Sequence, residues 1–436
     1  MKARYFLGID YLLLLSAVAL LIVGIIFIYS AGVSHDGVLI SGEYRRQIVW
    51  AGIGTVLAVM IAMVNYRRLY NFSFYIYIAT IVLLLYTIIF GVGAGAARWI
   101  RIGGFGIQVS EFAKIAVIIM LARYLVDTKR DNKSFIRFFV CCCITFLPML
   151  LVLAQPDLGT ALVFIPILLI MIFTAGIAMR YVIFMISGII LTSLFLMLPL
   201  WQIHIYGRAL PWMALLTDLG YILIAALFLG IIAAIALFSY LKFKKRYFFW
   251  IACGIAIIIL SLGVSYAARM TMRHYQLMRL IVFIDPNVDP RGAGWNIIQS
   301  ITAIGAGGLT GQGFLQGTQG HFRFLPEQST DFIFSIFSEE AGFLGGIFVF
   351  SLYLVIFLRI LRTMKITVDP FACYICAGLV GMFSFHFIIN VGMTMGIMPI
   401  TGIPLLFMSY GGSAVFAAMI GIGLVLGIHL RRYDLT

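Results

Sequence analysis

Apolar residues in this chain come in long unbroken runs, and polar residues are confined to the stretches between them. The runs lie near 9–31, 47–64, 70–91, 111–126, 135–154, 160–178, 181–200, 216–241, 247–268, 332–358, 370–392 and 410–430. Most have the roughly 17–25 residues that a helix needs to cross a hydrocarbon core about 30 Å thick. They do not alternate apolar with polar positions, as the strands of a transmembrane barrel must, so helices are predicted throughout. The expected fold is an all-α polytopic membrane protein of about twelve spans. With no visible internal repeat or Pro/Ser-rich linker, it reads as a single membrane domain over 1–436. The first run follows Met1–Arg4 but is too long for a signal peptide and lacks a small-residue cleavage site, so it reads as the first span.

Composition agrees, with 63% hydrophobic and 11% charged residues, against roughly 45–50% and about 25% in soluble domains. A soluble dinucleotide-binding or nucleic-acid module is excluded. The net charge of +14, from 30 Lys and Arg against 16 Asp and Glu, is first a matter of topology. Twelve alternating spans put Arg67–Arg68, 127–137, Arg180, Lys242–Arg246, Arg359–Lys365 and Arg431–Arg432 on the side of Lys2 and Arg4, which the positive-inside rule makes cytoplasmic. The connections on the opposite side, 32–46, 92–110, 201–215 and a long loop at 269–331, still hold Arg46, Arg98, Arg101, Arg208 and Arg279. These are either ordinary loop charges or guanidinium groups that meet a phosphate-bearing substrate.

Acids within or beside apolar spans are expensive and are therefore candidates for function. Glu111 lies three residues before Lys114, a spacing that allows a pair on one helix face, either structural or part of a site. Asp157, in Gln155-Pro156-Asp157-Leu158-Gly159-Thr160, either caps the next helix or serves a site. Asp331 closes Pro326-Glu327-Gln328-Ser329-Thr330 and opens Phe332-Ile333-Phe334, at the membrane boundary. It suits a general base for a substrate held at the lipid surface, or a helix N-cap. Glu339 and Glu340 lie about two turns further on. The run from Gly305 to Gly313 lacks both the spacing and the Lys-Ser/Thr ending of a P-loop, and its glycines suit tight turns or re-entrant backbone. Glycines at helical spacing, Gly423 with Gly427 and Gly342 with Gly346, suit close helix packing. The six Cys and six His form no metal-ligand or disulfide pattern.

These motifs together resemble the SEDS family (shape, elongation, division and sporulation). The resemblance rests on Arg279-Leu280-Ile281-Val282-Phe283-Ile284-Asp285-Pro286, Asp289-Pro290-Arg291-Gly292-Ala293-Gly294-Trp295, Gln299-Ser300, Gly317-Thr318-Gln319 and Phe324 through Phe334. It also rests on Ala97-Arg98-Trp99-Ile100, Gln108 through Lys114, Gln155 through Thr160, Met398 through Pro404 and Met408 through Ala414. The motifs follow the family's order over most of the chain, and their wording is closer to the RodA branch than to the FtsW branch.

The resemblance implies a peptidoglycan glycosyltransferase that polymerises lipid II on the outer face of the bacterial cytoplasmic (inner) membrane during cell elongation. A class B penicillin-binding protein supplies the transpeptidase, beside other membrane proteins of the elongation complex, and nucleic acid has no part. Asp331 matches the family's catalytic aspartate. Arg98, Trp99, Glu111, Lys114, Asp157 and Arg46 match cavity positions, and Arg279 is a further candidate for pyrophosphate. Two departures stand out: Val109 replaces a usual Pro, and the family usually has ten spans. The extra pair is expected within the inserted segment 201–246.

The chemistry fits one carboxylate plus cations. A sugar hydroxyl needs a base as it attacks the anomeric carbon, whereas undecaprenyl pyrophosphate leaves without protonation, unlike the leaving group in a glycoside hydrolase. Inversion at the donor is expected. No cofactor is demanded, and a divalent cation, Mg or Mn, is compatible with the pyrophosphate. The competing class is a lipid II flippase or another carrier of lipid-linked substrate.

Overall fold

The computed structural model describes residues 8–92, 98–102, 105–129, 134–208 and 210–432; Met1–Arg4 and Ala97 of the sequence reading lie outside them. In chain order the helices begin with α1 Tyr11–Ala31, α2 Glu43–Met63 and α3 Arg67–Phe90. A hairpin of β1 Trp99–Ile102 and β2 Phe105–Gln108 follows, pairing antiparallel with Trp99 opposite Gln108. Then come α4 Val109–Asp127, α5 Ser134–Ala154, α6 Leu158–Leu162, α7 Phe164–Thr174, α8 Met179–Trp201, α9 Ala214–Thr217, α10 Leu219–Phe243 and α11 Arg246–Thr271. The rest are α12 His274–Ile284, α13 Ala293–Ala306, α14 Thr318–His321, α15 Ile333–Ile366, α16 Pro370–Thr394 and α17 Gly412–Leu430.

Among the described residues ten helices are long and apolar enough to cross a membrane, not twelve. Two of the twelve expected spans fall short for different reasons. The run at 111–126 is α4, which carries Glu111, Lys114, Arg123 and Asp127 and is tolerable in a membrane because most of its side chains are buried in protein. The run at 160–178 is split between α6 and the 11-residue α7. The stretch expected as a long loop at 269–331 holds three helices, α12, α13 and α14, joined by turns.

Contacts divide the chain into two compact units, Met1–Ile177 with Gln299–Thr436, and Ala178–Ile298. In the second, α11 packs on α8 and α10 around Leu216, Ile222 and Leu262, and Ser261 donates to the Gly188 carbonyl at 3.2 Å. Most of its apolar side chains, such as Leu227, Phe228 and Phe238, face outward, as lipid-facing helices require.

In the first unit α17 lies against α2, α16 against α7 and α4, and α15 against α1. Gly423 permits the first of these, because a Cβ there would stand 2.6 Å from the Ala58 carbonyl oxygen. One end of this unit is tied by charge. Asp10 accepts the Leu13 amide as the α1 N-cap and shares the single Arg359 Nε–H between its two carboxylate oxygens, at 2.7 and 3.0 Å. Tyr66 donates to Asp369 at 2.9 Å; burial, with Asp369 adding to it, pushes the Tyr66 hydroxyl well above its usual range and keeps it a donor. Arg431 closes on the Met63 carbonyl at 2.6 Å.

At the other end, α15 is broken rather than packed at its glycines. Gly342 has φ 65° and ψ −165° inside the helix, and Gly346 meets nothing within 4 Å. The glycine-rich run lies across the break and satisfies its exposed backbone. Gln312 and Gly313 donate to the Glu339 and Glu340 carbonyls at 3.0 and 3.1 Å, and Phe343 and Leu344 donate to the Gly308 and Leu309 carbonyls at 2.9 and 3.0 Å. Non-helical backbone at membrane depth is tolerable on that condition.

Glu339 and Glu340 anchor the same segment. The Glu339 carboxylate accepts the Thr318 hydroxyl at 3.0 Å and the Gln319 and Gly320 amides at 2.9 and 3.3 Å. Glu340 accepts the Ser30 hydroxyl and the Leu315 amide, with His321 at 3.6 Å. Carboxylates so committed tie loop to helix and are ill-suited to carrying coupling protons. Glu339→Ala strands three donors and is expected to cost about 3 kcal/mol. Thermal unfolding of the purified protein measures it, and an unchanged midpoint would contradict the anchoring role.

Candidate active site

The turn before α15 brings the first candidate into place. The amides of Thr330, Asp331 and Phe332 all converge on the Glu327 carbonyl, and the helix starts at Ile333 with Phe332 as N-cap and no side-chain cap hydrogen bond. Asp331 is therefore not the capping residue that spacing alone allowed. The turn is pinned from three sides. Tyr410 donates its amide to the Ser329 carbonyl at 2.8 Å, Ser329 donates to Glu43 at 2.6 Å, and Asn390 donates to the Asp331 carbonyl at 2.9 Å.

Arg46 joins this turn through Tyr410. It projects from the first turn of α2 and is exposed, and its cation acts on the Tyr410 hydroxyl. Burial raises the Tyr410 hydroxyl above its usual range, and the Arg46 cation opposes that rise. One residue on, Gln47 is buried and fixes the segment before α17. It donates to the Ser409 carbonyl at 3.0 Å and accepts the Gly411 amide at 3.3 Å.

Asp157 is the helix cap that the sequence allowed, and it has further partners. It caps α6, accepting the Thr160 amide and hydroxyl at 3.3 and 3.0 Å. It also receives Gln108 Nε2 at 3.0 Å and faces Arg98 at 3.8 Å. Arg98 donates a further hydrogen bond to the Pro156 carbonyl at 3.1 Å, while its buried Nε has no partner among the described residues. Trp99 begins the hairpin, where Gly106 leaves room for its ring: a Cβ there would lie 3.0 Å from Trp99 Cε3. Val109 is the first residue of α4, and the Gln108 amide before it donates to Ser413 Oγ at 2.9 Å. The missing Pro is thus replaced by an ordinary helix start.

Glu111 and Lys114 form a closed pair. The ammonium donates to Glu111 Oε2 at 2.8 Å, and the two side chains are 2% and 1% exposed. Lys114 also approaches His386 Nε2 at 3.0 Å, and the other ring nitrogen, Nδ1, lies 3.0 Å from the Pro404 carbonyl. A carbonyl only accepts, so Nδ1 carries the proton and Nε2 accepts from Lys114. Removing the ammonium would leave a buried carboxylate, at a cost of about 3–5 kcal/mol. Lys114→Ala is therefore expected to lose activity while lipid II affinity holds. A binding measurement on a folded Lys114→Ala protein that shows much weaker affinity would instead make Lys114 a substrate contact.

The first unit thus holds Asp331, Arg46, Arg98, Trp99, Glu111, Lys114 and Asp157. Arg279 belongs to the second, where its guanidinium lies 5.6 Å from the Tyr275 ring centroid. Sequence reading passed over His386 and Asn390, although a polar pair four residues apart in the apolar run of α16 is a signal of the kind that marks intramembrane function.

Comparison with known proteins follows the same lines. The family model FtsW/RodA/SpoVE, described as a cell cycle protein, matches residues 11–228 and 200–434. The chain is 48% identical to the peptidoglycan glycosyltransferase RodA of Treponema pallidum (strain Nichols), over 99% of this chain and 100% of the relative. It is 31% identical to the peptidoglycan glycosyltransferase MrdB of Escherichia coli (strain K12), over 98% and 95% respectively. A solved chain from work on polymerization and crosslinking by a peptidoglycan synthase complex shares the fold, with TM-score 0.67 at 24% identity over 98% of this chain and 99% of that one. This multi-pass, all-α membrane protein therefore belongs to the FtsW/RodA/SpoVE family, the SEDS family that its motifs resemble.

Proposed function

We propose that the chain is a peptidoglycan glycosyltransferase of the RodA type that polymerises lipid II, with Asp331 as its general base. The observation that carries the activity is the near full-length identity to relatives named for it. What supports the base is the pinned turn that ends on Asp331, tied through Ser329 to Tyr410 and Glu43.

Asp331 takes the proton of the acceptor sugar hydroxyl as its oxygen attacks the anomeric carbon of the donor. The bond from that carbon to the pyrophosphate oxygen breaks, undecaprenyl pyrophosphate departs, and the new glycosidic bond forms with inversion. Arg46 and Arg98 are assigned to the pyrophosphate charge, which guanidinium groups match with paired hydrogen bonds. Trp99 and Asp157 shape the wall beside Arg98. Lys114 and Glu111, being closed off from solvent, act by holding α4 and α16 in place. Arg279 is assigned to the leaving pyrophosphate on its motif alone.

Among the described residues no three His, Cys, Asp or Glu side chains form a metal cage, and no step is routed through a metal. A divalent cation, Mg or Mn, is proposed only as a counter-ion carried by the pyrophosphate. The proposed setting is the bacterial inner membrane, with the site facing outward; the basic residues Arg67, Arg359 and Arg431 at the opposite end of the first unit support this orientation. The proposed partners are a class B penicillin-binding protein and other membrane proteins of the elongation complex. The segment 201–246 is proposed as an addition to the family core, and 269–331 as the outward-facing stretch that carries the catalytic motif.

The deciding experiment gives labelled lipid II to the purified chain in liposomes. Glycan strands support the proposal, and movement of lipid II across the bilayer without strand formation makes the protein a flippase instead.

A further inference from the structure

Two side chains on one face of α16, four residues apart, reach both halves of the site and one shared stretch of backbone. Asn390 Nδ2 donates to the Asp331 carbonyl at 2.9 Å and to the Ile403 carbonyl at 2.8 Å. Both neighbours are acceptors, so the amide orientation is forced. His386 accepts from Lys114 at 3.0 Å and donates to the Pro404 carbonyl at 3.0 Å. Both side chains are buried. The same stretch also sets the height of α6: a Cβ on Gly159 would stand 2.4 Å from the Thr401 carbonyl oxygen. Three elements that come from distant parts of the chain, the Asp331 turn, the α4 pair and the Asp157 turn, are thus registered on residues 401–404.

We propose that Asn390 and His386 are positioning residues, which fix Asp331 and the Glu111–Lys114 pair relative to each other through the backbone ledge at Ile403–Pro404. Neither residue touches the reacting atoms. The inference rests on Asp331 being the base, and it adds what holds that base in register. A displacement of about 1 Å at a reacting group lowers rate by up to about 100-fold, so the effect belongs in kcat. Asn390→Leu keeps the size of the side chain and removes both donors. His386→Leu removes one donor and one acceptor, whereas His386→Gln retains an amide that can donate to Pro404 and accept from Lys114.

The test is steady-state polymerisation of lipid II by the purified full-length variants in liposomes. Asn390→Leu and His386→Leu are expected to lower kcat about 10–100-fold with KM within about threefold, and His386→Gln to recover most of that loss. Parental kcat in both Leu variants overturns the proposal, as does a change in KM alone. Should Asn390→Leu not fold, the two His386 variants decide, and equal kcat values for Leu and Gln overturn it. Asp331→Asn separates the two levels. If it polymerises normally, the base assignment fails and the positioning role with it. If it is inactive while the Leu variants keep parental kcat, the base stands and only the positioning role is lost.

Discussion

Asp331→Asn is expected to lower lipid II polymerisation by about 10²–10⁴-fold, the range that a positioned base contributes, while leaving folding and family-typical association intact. The substitution is nearly isosteric and leaves the backbone hydrogen bonds of the turn in place. The turn is held by the Glu327 carbonyl, by the Tyr410 amide on Ser329, and by Asn390 on the backbone carbonyl of residue 331. None of these bonds uses the Asp331 carboxylate. Helix capping is also not at stake, since α15 starts on Phe332 without a side-chain cap bond. The loss should therefore appear in kcat, with lipid II binding near that of the parent and an unchanged thermal midpoint. Near-normal strand synthesis by Asp331→Asn would end the assignment.

Gly311→Ala is expected to remove the folded protein rather than slow it. Gly311 has φ +84°, and a Cβ there would sit 2.0 Å from the Glu340 carbonyl oxygen. The left-handed conformation alone costs an L-residue about 1–2 kcal/mol. The overlap is between backbone atoms, so no side-chain rotation relieves it. Moving the segment away would break the donations of Gln312 and Gly313 into the gap of α15. The sum is roughly 4 kcal/mol or more, which is at the extreme end for one methyl group. Gly342→Ala approaches the same contact from the other strand of backbone, with a Cβ 2.2 Å from the Gly311 amide nitrogen. Size-exclusion and thermal profiles in detergent check both; a monodisperse Gly311→Ala protein melting within about 1 °C of the parent, a shift of roughly 1 kcal/mol for a chain of this length, would contradict the close approach.

Much of this was legible beforehand, for identifiable reasons. Hydropathy locates helices wherever the side chains face lipid, which is why α1, α3, α10 and α11 stand out. It does not separate α4, mostly buried in protein with Glu111 and Lys114 paired there, from a lipid-facing span, nor show that the run at 160–178 breaks into α6 and the short α7. Motif order revealed the family and singled out the candidate site residues. It could not reveal that Asp157 caps and pairs at once, or that Lys114 is sealed behind Glu111 and His386, because both depend on α16 and the hairpin arriving from elsewhere in the chain. Glu339 and Glu340 looked like functional acids since burial of charge is costly; the structure covers that cost with amide and hydroxyl donors from 315–320. Glycines at 342 and 346 resembled a packing stripe, and only backbone conformation separates such a stripe from a helix break.

The bonds that tie the first helices to the last ones also set a schedule for biosynthesis. Asp10 waits for Arg359 across 349 positions, Ser30 for Glu340 across 310, and Gln47 for Ser409 across 362. At about 5–20 residues per second on the ribosome, α1 and α2 stand in or near the bilayer for roughly 20–70 s before their partners exist. Through that interval Asp10 and Gln47 must be served by water, lipid headgroups or insertion machinery, so the nascent chain is most exposed to quality control while its earliest helices are already made.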